Sequence, residues 1–389
     1  MKNRRIVWWG AGLIVLLSLA VAAYLQRRPT PSAEGVGVAA ILPLTGPLSS
    51  YGVSEQQGMT LAAEEVNAAG GVGGKQLRLT FEDSRGQAND AVAAAQKALT
   101  VNNIRFLFTS LTGPTRAVAP VADKAGALQI VFAMDEAIPE GYSRMVRVYP
   151  GIKEEGRILL AYARLVKPRQ VGIIQLRHVA YDSQVRDVLV PGLREAGALS
   201  VTVETFDGSD LPAVRSIAAK FRSAKPDLLI VCAYYNQLPQ VLRFVTEQGV
   251  LEYSELLVGI NLPVATRMGL ISSSALDRVT LAAPEYTLRS EAGRETSERT
   301  KRFRERYRKR FGKEPDYDAA YGYDALTLLG ESMKAVGVDP LQVAARLKSV
   351  EGYPGVSGQL SIGADGNSST RWLLGRYEKG ALSLVEGAH

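Results

Sequence analysis

The chain of 389 residues has one cysteine, Cys232, and two histidines, His178 and His389. One thiol cannot form an internal disulfide framework, and so few soft ligands make no His/Cys set for a transition metal. Asp365 and Asn367 fall short of a calcium loop, which needs more oxygen donors in succession. No G-x-S-x-G elbow occurs and His178 has no second internal histidine to work with, so hydrolytic chemistry is not indicated. Neither a metal nor a cofactor is expected, and the chain does not read as an enzyme. Strong charge is lacking as well. Of the formal net charge of +7, Lys2, Arg4, Arg5, Arg27 and Arg28 against Glu34 place more than half within residues 1–34, which leaves the body little basic character for a nucleic-acid partner.

What is present first is an apolar leader. Ile6 to Leu25 carries no charge and no proline and follows Lys2, Arg4 and Arg5, a length that spans a bilayer core. Trp8, Trp9 and Tyr24 sit where interfacial aromatics belong, whereas Ala20-Val21-Ala22 would serve as a signal-peptide cleavage site. Residues 1–28 are therefore read as a signal or anchor helix and 29–35 (PTPSAEG) as a tether. Either way the body is expected outside the cytoplasm, in the periplasm or on the outer face of the cytoplasmic membrane, secreted or anchored by residues 6–25.

Beyond the tether, short β-branched or aromatic runs at Val36–Leu42, Leu77–Phe81, Ile104–Phe108 and Leu128–Phe132 alternate with Ala-rich amphipathic stretches at Ser54–Ala69, Ala88–Thr100 and Arg116–Ala125. A second set of strands at Val171–Leu176, Val201–Phe206, Leu228–Ala233 and Leu256–Ile260 alternates with helices near 184–196, 211–223 and 238–248. Such alternation predicts an α/β fold of two doubly wound lobes, each a parallel sheet covered on both faces, in keeping with a length greater than one core absorbs.

In open parallel sheets ligands bind beyond the carboxyl ends of strands. LTGPLSSYG (residues 44–52), TSLTGPT (109–115), AMDE (133–136), RHVAYD (177–182) and YYN (234–236) are loops of that kind. The first has a plainer alternative, with Ser54 capping a helix and the rest forming a turn.

The run LPLTGPLSSYG with GMTLAAEEVNAAGGVGGKQLRLTFEDSRGQANDAVAAAQKAL, then TSLTGPTRAVAPVADKAGALQIVFA, resembles the type I periplasmic binding proteins of the leucine/isoleucine/valine branch, which feed ABC importers. The resemblance implies two Rossmann-like lobes joined by three crossovers that close over one small ligand. These crossovers are placed near 146–151, 281–285 and 353–358, so that lobe one holds 36–148 and 284–351 and lobe two 149–283 and 352–389. It implies a site in which Tyr51 is the first-loop aromatic and Thr112 meets the ligand carboxylate, while Tyr181 and Tyr234 come from the second lobe; Thr115 and Ala133 are further expected ligand-binding positions. Two positions depart from the family pattern: Asp135 stands where a neutral hydroxyl residue helps hold the carboxylate, and Asn261 where an acidic residue meets the ammonium.

An ionised Asp135 beside a carboxylate would repel it by roughly 4 kcal/mol at 4 Å and an effective dielectric near 20, on the order of a thousandfold in affinity. The ligand is therefore expected to be something other than a simple branched-chain amino acid, unless Asp135 turns away to cap a turn. The expected function is an extracytoplasmic receptor that captures a small polar solute, an amino acid, amide or related compound, and delivers it to an ABC importer permease. The alternative is a membrane-anchored sensor using the same fold. KRFRERYRKRFGK (301–313) is read as a helix with Phe303, Tyr307 and Phe311 inward and its arginines in solvent.

Overall fold

The computed structural model describes residues 35–385 apart from 209, 295 and 296. The apolar run Ile6–Leu25 and residues 29–34 of the tether lie outside the described residues, among which no helix is long and apolar enough to cross a membrane.

The first half of lobe one runs β1 (Val36–Leu42), α1 (Ser49–Ala68), β2 (Leu77–Asp83), α2 (Ala88–Gln96), β3 (Phe106–Ser110), α3 (Thr112–Lys124), β4 (Leu128–Phe132) and β5 (Met145–Arg147). Its five strands form one parallel sheet in the order β2-β1-β3-β4-β5. β3 and β4 are buried along their whole length, as strands covered by helices on both faces must be.

Lobe two follows with α4 (Ile152–Val166), β6 (Gln170–Leu176), α5 (Val179–Gln184), β7 (Ser200–Phe206), α6 (Leu211–Ala224), β8 (Leu228–Cys232), α7 (Leu238–Glu247), β9 (Glu255–Val258), α8 (Asn261–Arg267) and β10 (Val279–Pro284). The chain then runs through α9 (Glu285–Glu291), α10 (Glu298–Phe311), α11 (Tyr317–Val336) and α12 (Pro340–Leu347). After β11 (Tyr353–Gly355), β12 (Gly358–Ile362) and β13 (Ser368–Thr370), it returns to the second sheet as β14 (Trp372–Glu378) and β15 (Ala381–Leu384). That sheet has the order β15-β14-β10-β9-β8-β6-β7, with β14 antiparallel to β10. The architecture is the doubly wound two-lobe α/β fold that the alternation predicts.

Three departures from the sequence reading have physical causes. Helix α1 starts at Ser49, not Ser54, so Ser54 caps nothing; it lies a turn and a half inside the helix and gives its hydroxyl to Asp316 at 2.7 Å. Helix α11 is missing from the pattern because it is buried nearly all round and has no polar stripe to betray its period. Its contact with α1 is close: a Cβ on Gly58 would fall into the Ala319 carbonyl, and one on Gly322 into the Glu55 carbonyl. Finally, residues 352–389 do not enter lobe two as a block. β11–β13 make a separate small sheet, tied to α11 because Asp324 accepts the Val356 and Ser357 amides at 2.8 Å each; the second sheet is entered only at Trp372.

Fully buried Arg147, at the end of β5, gives hydrogen bonds to the Tyr149 carbonyl, to Asn367 Oδ1 at 2.7 Å and to the Ser368 carbonyl at 3.0 Å. One guanidinium thus joins the first strand-to-lobe passage to the β12–β13 turn region. In α10, Phe303 and Tyr307 are buried, Phe311 packs against the core and the basic side chains point outward, as the four-residue spacing predicts.

Candidate functional site

A pocket lies between the carboxyl ends of the two sheets. Lobe one supplies Tyr51 from α1, Ser110, Leu111 and Thr112 from the β3–α3 junction, and Phe132, Ala133 and Met134 from the exit of β4. Tyr149 and Ile152 come from the passage into lobe two, Ala180 and Tyr181 from α5, Tyr234 from the loop after β8, and Tyr317 from the first residue of α11.

The lobes touch through hydroxyls. Tyr51 donates to Asn261 Oδ1 at 2.6 Å, Asn261 Nδ2 donates to the Tyr181 hydroxyl at 3.0 Å, and Tyr235 donates to the Pro47 carbonyl at 2.7 Å. Tyr51 and Tyr235 also meet edge to face, with ring centroids 5.0 Å apart. Because Tyr181 accepts from Asn261, its own proton is left for the pocket. The same holds for Tyr234. His178 Nδ1 accepts from the Ala180 amide at 3.3 Å, which puts the ring proton on Nε2, 3.2 Å from the Tyr234 oxygen. Burial pushes His178 below its ordinary pKa despite Asp135 and Asp182, so the ring is neutral near pH 7.

Leu111, just ahead of α3, has φ +68°, a left-handed backbone that a branched residue avoids unless its surroundings enforce it. That turn brings the start of α3 to the pocket wall, and the first amides of a helix have no partner inside it. Donors therefore converge from both lobes: helix amides at Thr112 and two phenolic hydroxyls opposite.

Acidic groups stand behind this wall and hold it. Ser110 donates to Glu55 Oε1 at 2.9 Å, and burial pushes Glu55 up to about 8. Tyr149 donates to Asp318, which burial, with Asp316 and Glu55 nearby, holds well above the usual carboxylate range. Glu155 takes the Ile260 amide at 2.6 Å and Gln184 at 2.8 Å and is pushed up to about 7, again by burial. At neutral pH Glu55 is thus largely protonated and presents little negative charge to a ligand.

Of the residues expected from sequence, Tyr51, Thr112, Ala133, Tyr181 and Tyr234 line the pocket. Asn261 sits directly behind it between two of the tyrosines. Two expectations are corrected. Thr115 turns into the lobe and bonds Thr109 Oγ1 at 3.1 Å. Asp135 also turns away: Arg116 pairs with it at 2.7 Å and the Ala137 amide binds its other oxygen at 3.1 Å, so the carboxylate closes a turn while Met134 faces the pocket. Asp135 therefore does not line the pocket, and its charge is paired with Arg116 in place of directly facing a bound carboxylate. Sequence reasoning missed Ser110, Phe132, Met134, Tyr149, Ile152 and Tyr317; Ser110 is discoverable as the residue before the LTGP turn.

Two α/β lobes meeting over a pocket at their strand ends, with a hydrogen-bond chain running from one lobe to the other, form the architecture of a two-lobe solute-binding protein. The family model for periplasmic binding proteins matches residues 35–381, and the chain belongs to that family, in the type I branch that contains the Leu/Ile/Val-binding proteins. Leu/Ile/Val-binding protein homolog 7 of Brucella abortus (strain 2308) is 25% identical over 246 residues, 60% of this chain and 61% of that protein. The Leu/Ile/Val-binding protein of Escherichia coli (strain K12) is 25% identical over 223 residues, 56% and 59% of the two chains. The chain thus matches about three fifths of the length of these relatives. Among solved structures, a leucine binding protein from Thermotoga maritima MSB8 has a TM-score of 0.78 at 22% identity, covering 90% of this chain and 97% of its own. A solute binding protein of an ABC transporter from R. palustris, in complex with benzoate, has a TM-score of 0.78 at 17% identity, covering 90% and 96%. At these identities the likeness establishes the fold.

Proposed function

We propose that this chain is the extracytoplasmic receptor of an ABC importer and that it closes over a small carboxylate whose remainder is apolar or aromatic, without an ammonium group. The observation that carries the ligand class is the Tyr51–Asn261–Tyr181 chain, which puts a neutral amide where recognition of an amino group calls for an ionised acid. The α3 start and the protons of Tyr181 and Tyr234 suit an anion, and the ring-rich wall of Phe132, Tyr149 and Tyr317 suits a flat apolar body. Both ligand types occur on this fold, since neighbouring structures are described with leucine and with benzoate or 3,4-dihydroxybenzoic acid. The wall residues favour the second.

A thermal-shift panel of benzoate, hydroxybenzoates, leucine, isoleucine, valine and small amides tests this reading. A ligand at a hundred times its Kd adds about 2.7 kcal/mol of stability. Stabilisation by aromatic acids is expected; strong stabilisation by the branched-chain amino acids would overturn the ligand class. The second reading, an anchored sensor, draws on the uninterrupted apolar run Ile6–Leu25. Uptake of the identified ligand that persists after deletion of the chain would favour the sensor over the importer receptor.

A further inference from the structure

We infer that Glu155 is a positioning residue for ligand recognition: from behind the pocket it holds Asn261, Tyr181 and Ile152 in register with one another. The inference deepens the receptor reading above and rests on it only for what binds. Glu155 is buried one turn into α4 and is not itself part of the pocket wall. Each of its bonds ends beside a residue of the site. Oε1 accepts the amide of Ile260, the residue before Asn261, at 2.6 Å. Oε2 accepts from Gln184 Nε2 at 2.8 Å, one turn beyond Tyr181 on α5. The same Gln184 nitrogen donates to the carbonyl of Ile152, on the pocket wall, at 3.0 Å. Three segments of lobe two that carry the site therefore meet at one carboxylate.

The backbone leaves room for this group. A Cβ on Gly259 would fall on the Glu155 carboxylate, and one on Gly156 would press on Gln184 Cγ at 3.0 Å. The chemistry asks for an acid, because both neighbours are donors: a carboxylate offers an acceptor to each, whereas a carboxamide offers one and sets its own N–H against the other. Glutamine at this position would leave a buried donor unpaired. Gln184 Oε1 has no hydrogen-bond partner among the described residues and could turn to meet it, but the Ile152 carbonyl would then lose its donor. Either adjustment moves Ile260 relative to α5. Asn261 feels that movement directly, since its Nδ2 donates to Tyr181 at 3.0 Å while its Oδ1 accepts from Tyr51 at 2.6 Å.

The test is made at pH 8, where Glu155, pushed up to about 7 by burial, is mostly ionised. In the ligand-free protein the side-chain amide protons of Asn261 are assigned by NMR from their loss in Asn261→Ala. They should exchange with solvent at least tenfold faster in Glu155→Gln, while the backbone amides of β8 keep their wild-type rates. Titration with benzoate then closes a double-mutant cycle. Glu155→Gln should weaken binding about tenfold in the wild-type background and less than twofold on Asn261→Ala, because a residue that acts through Asn261 then has nothing left to position. Gly259→Ala displaces the carboxylate without altering it and should reproduce both effects; it carries the test if Glu155→Gln does not fold. Unchanged exchange at Asn261, equal losses of affinity in the two backgrounds, or equally faster exchange throughout β8 overturns the inference. A wild type that does not bind benzoate refutes the ligand class alone, and the ligand-free exchange then decides the role of Glu155.

Discussion

Tyr51 of lobe one and Asn261 of lobe two share a 2.6 Å hydrogen bond across the cleft, and Asn261 passes the chain on to Tyr181 at 3.0 Å. An amide there is neutral and satisfied on both sides. Asn261→Asp keeps the shape and places a charge between two phenols, which can both donate to it. The variant should bind an aromatic monocarboxylate at least tenfold more weakly and leucine at least tenfold more tightly, each tenfold being 1.4 kcal/mol. Titration calorimetry with the two ligands decides; unchanged preference would mean that the ligand's far end does not meet Asn261.

Glu55 links the pocket to pH. Its carboxyl is pushed from 4.5 to about 8 by burial, so between those values the folded chain holds a proton that the unfolded chain has released. With more protons on the native state, stability is fully present below about pH 4.5 and declines as pH rises towards 8. Glu155, pushed to about 7, adds to the same slope. The melting temperature should therefore drop across this window. Glu55→Gln, which keeps an acceptor for Ser110, should flatten the drop and be the more stable chain at pH 8 by a few kcal/mol. Parallel melting profiles for the two proteins would place Glu55 ionised in the native state.

Much of this fold was legible because its strands are short, β-branched and evenly spaced by amphipathic helices. What escaped was what burial hides: α11, apolar nearly all round, carries Tyr317 and Asp318 without a periodic signal. Tyr149 was equally invisible, because it stands in the passage between lobes, beyond β5 and not in a strand-to-helix loop of lobe one. The first-loop Tyr51 and the helix-start Thr112 were named because the loops LTGPLSSYG and TSLTGPT carry the family resemblance. Asp135 shows the limit of that resemblance: where a strand exits, adjacent side chains leave on opposite sides, so a slip of one residue exchanges a pocket-facing Met134 for a turn-closing carboxylate.

The α1–α11 crossing depends on two glycines. Glycine to alanine inside a helix ordinarily gains about 1 kcal/mol. At Gly58 the added carbon meets the Ala319 backbone carbonyl, which cannot rotate away. Gly58→Ala should therefore reverse the usual sign and lose about 1–3 kcal/mol, as overpacked cores do. A urea midpoint that falls while the slope stays constant would confirm it; a midpoint that rises would mean that the helices can separate at little cost.

Closure has an ionic component whose size follows from what each partner keeps when the lobes part. Arg267 on α8 lies 3.5 Å from Asp316, the residue capping α11 on the other lobe, with 26% and 15% of the side chains exposed. On opening, Arg267 retains Glu291 at 2.8 Å, because α9, although placed in lobe one from sequence, packs on β10 and β14 of the second sheet, and Asp316 retains Ser54 at 2.7 Å and the Ala319 amide at 2.9 Å. Neither charge is stranded, so closing gains a pair without having to repair a defect, and partial solvent screening holds the gain to about 1 kcal/mol. Arg267→Gln should weaken ligand binding about fivefold, mainly by faster release, since only the closed state contains the pair. In 1 M salt, where the screening length is about 3 Å, wild type and variant should converge. Stopped-flow release measured at low and high salt separates this from a folding defect, which would persist in both.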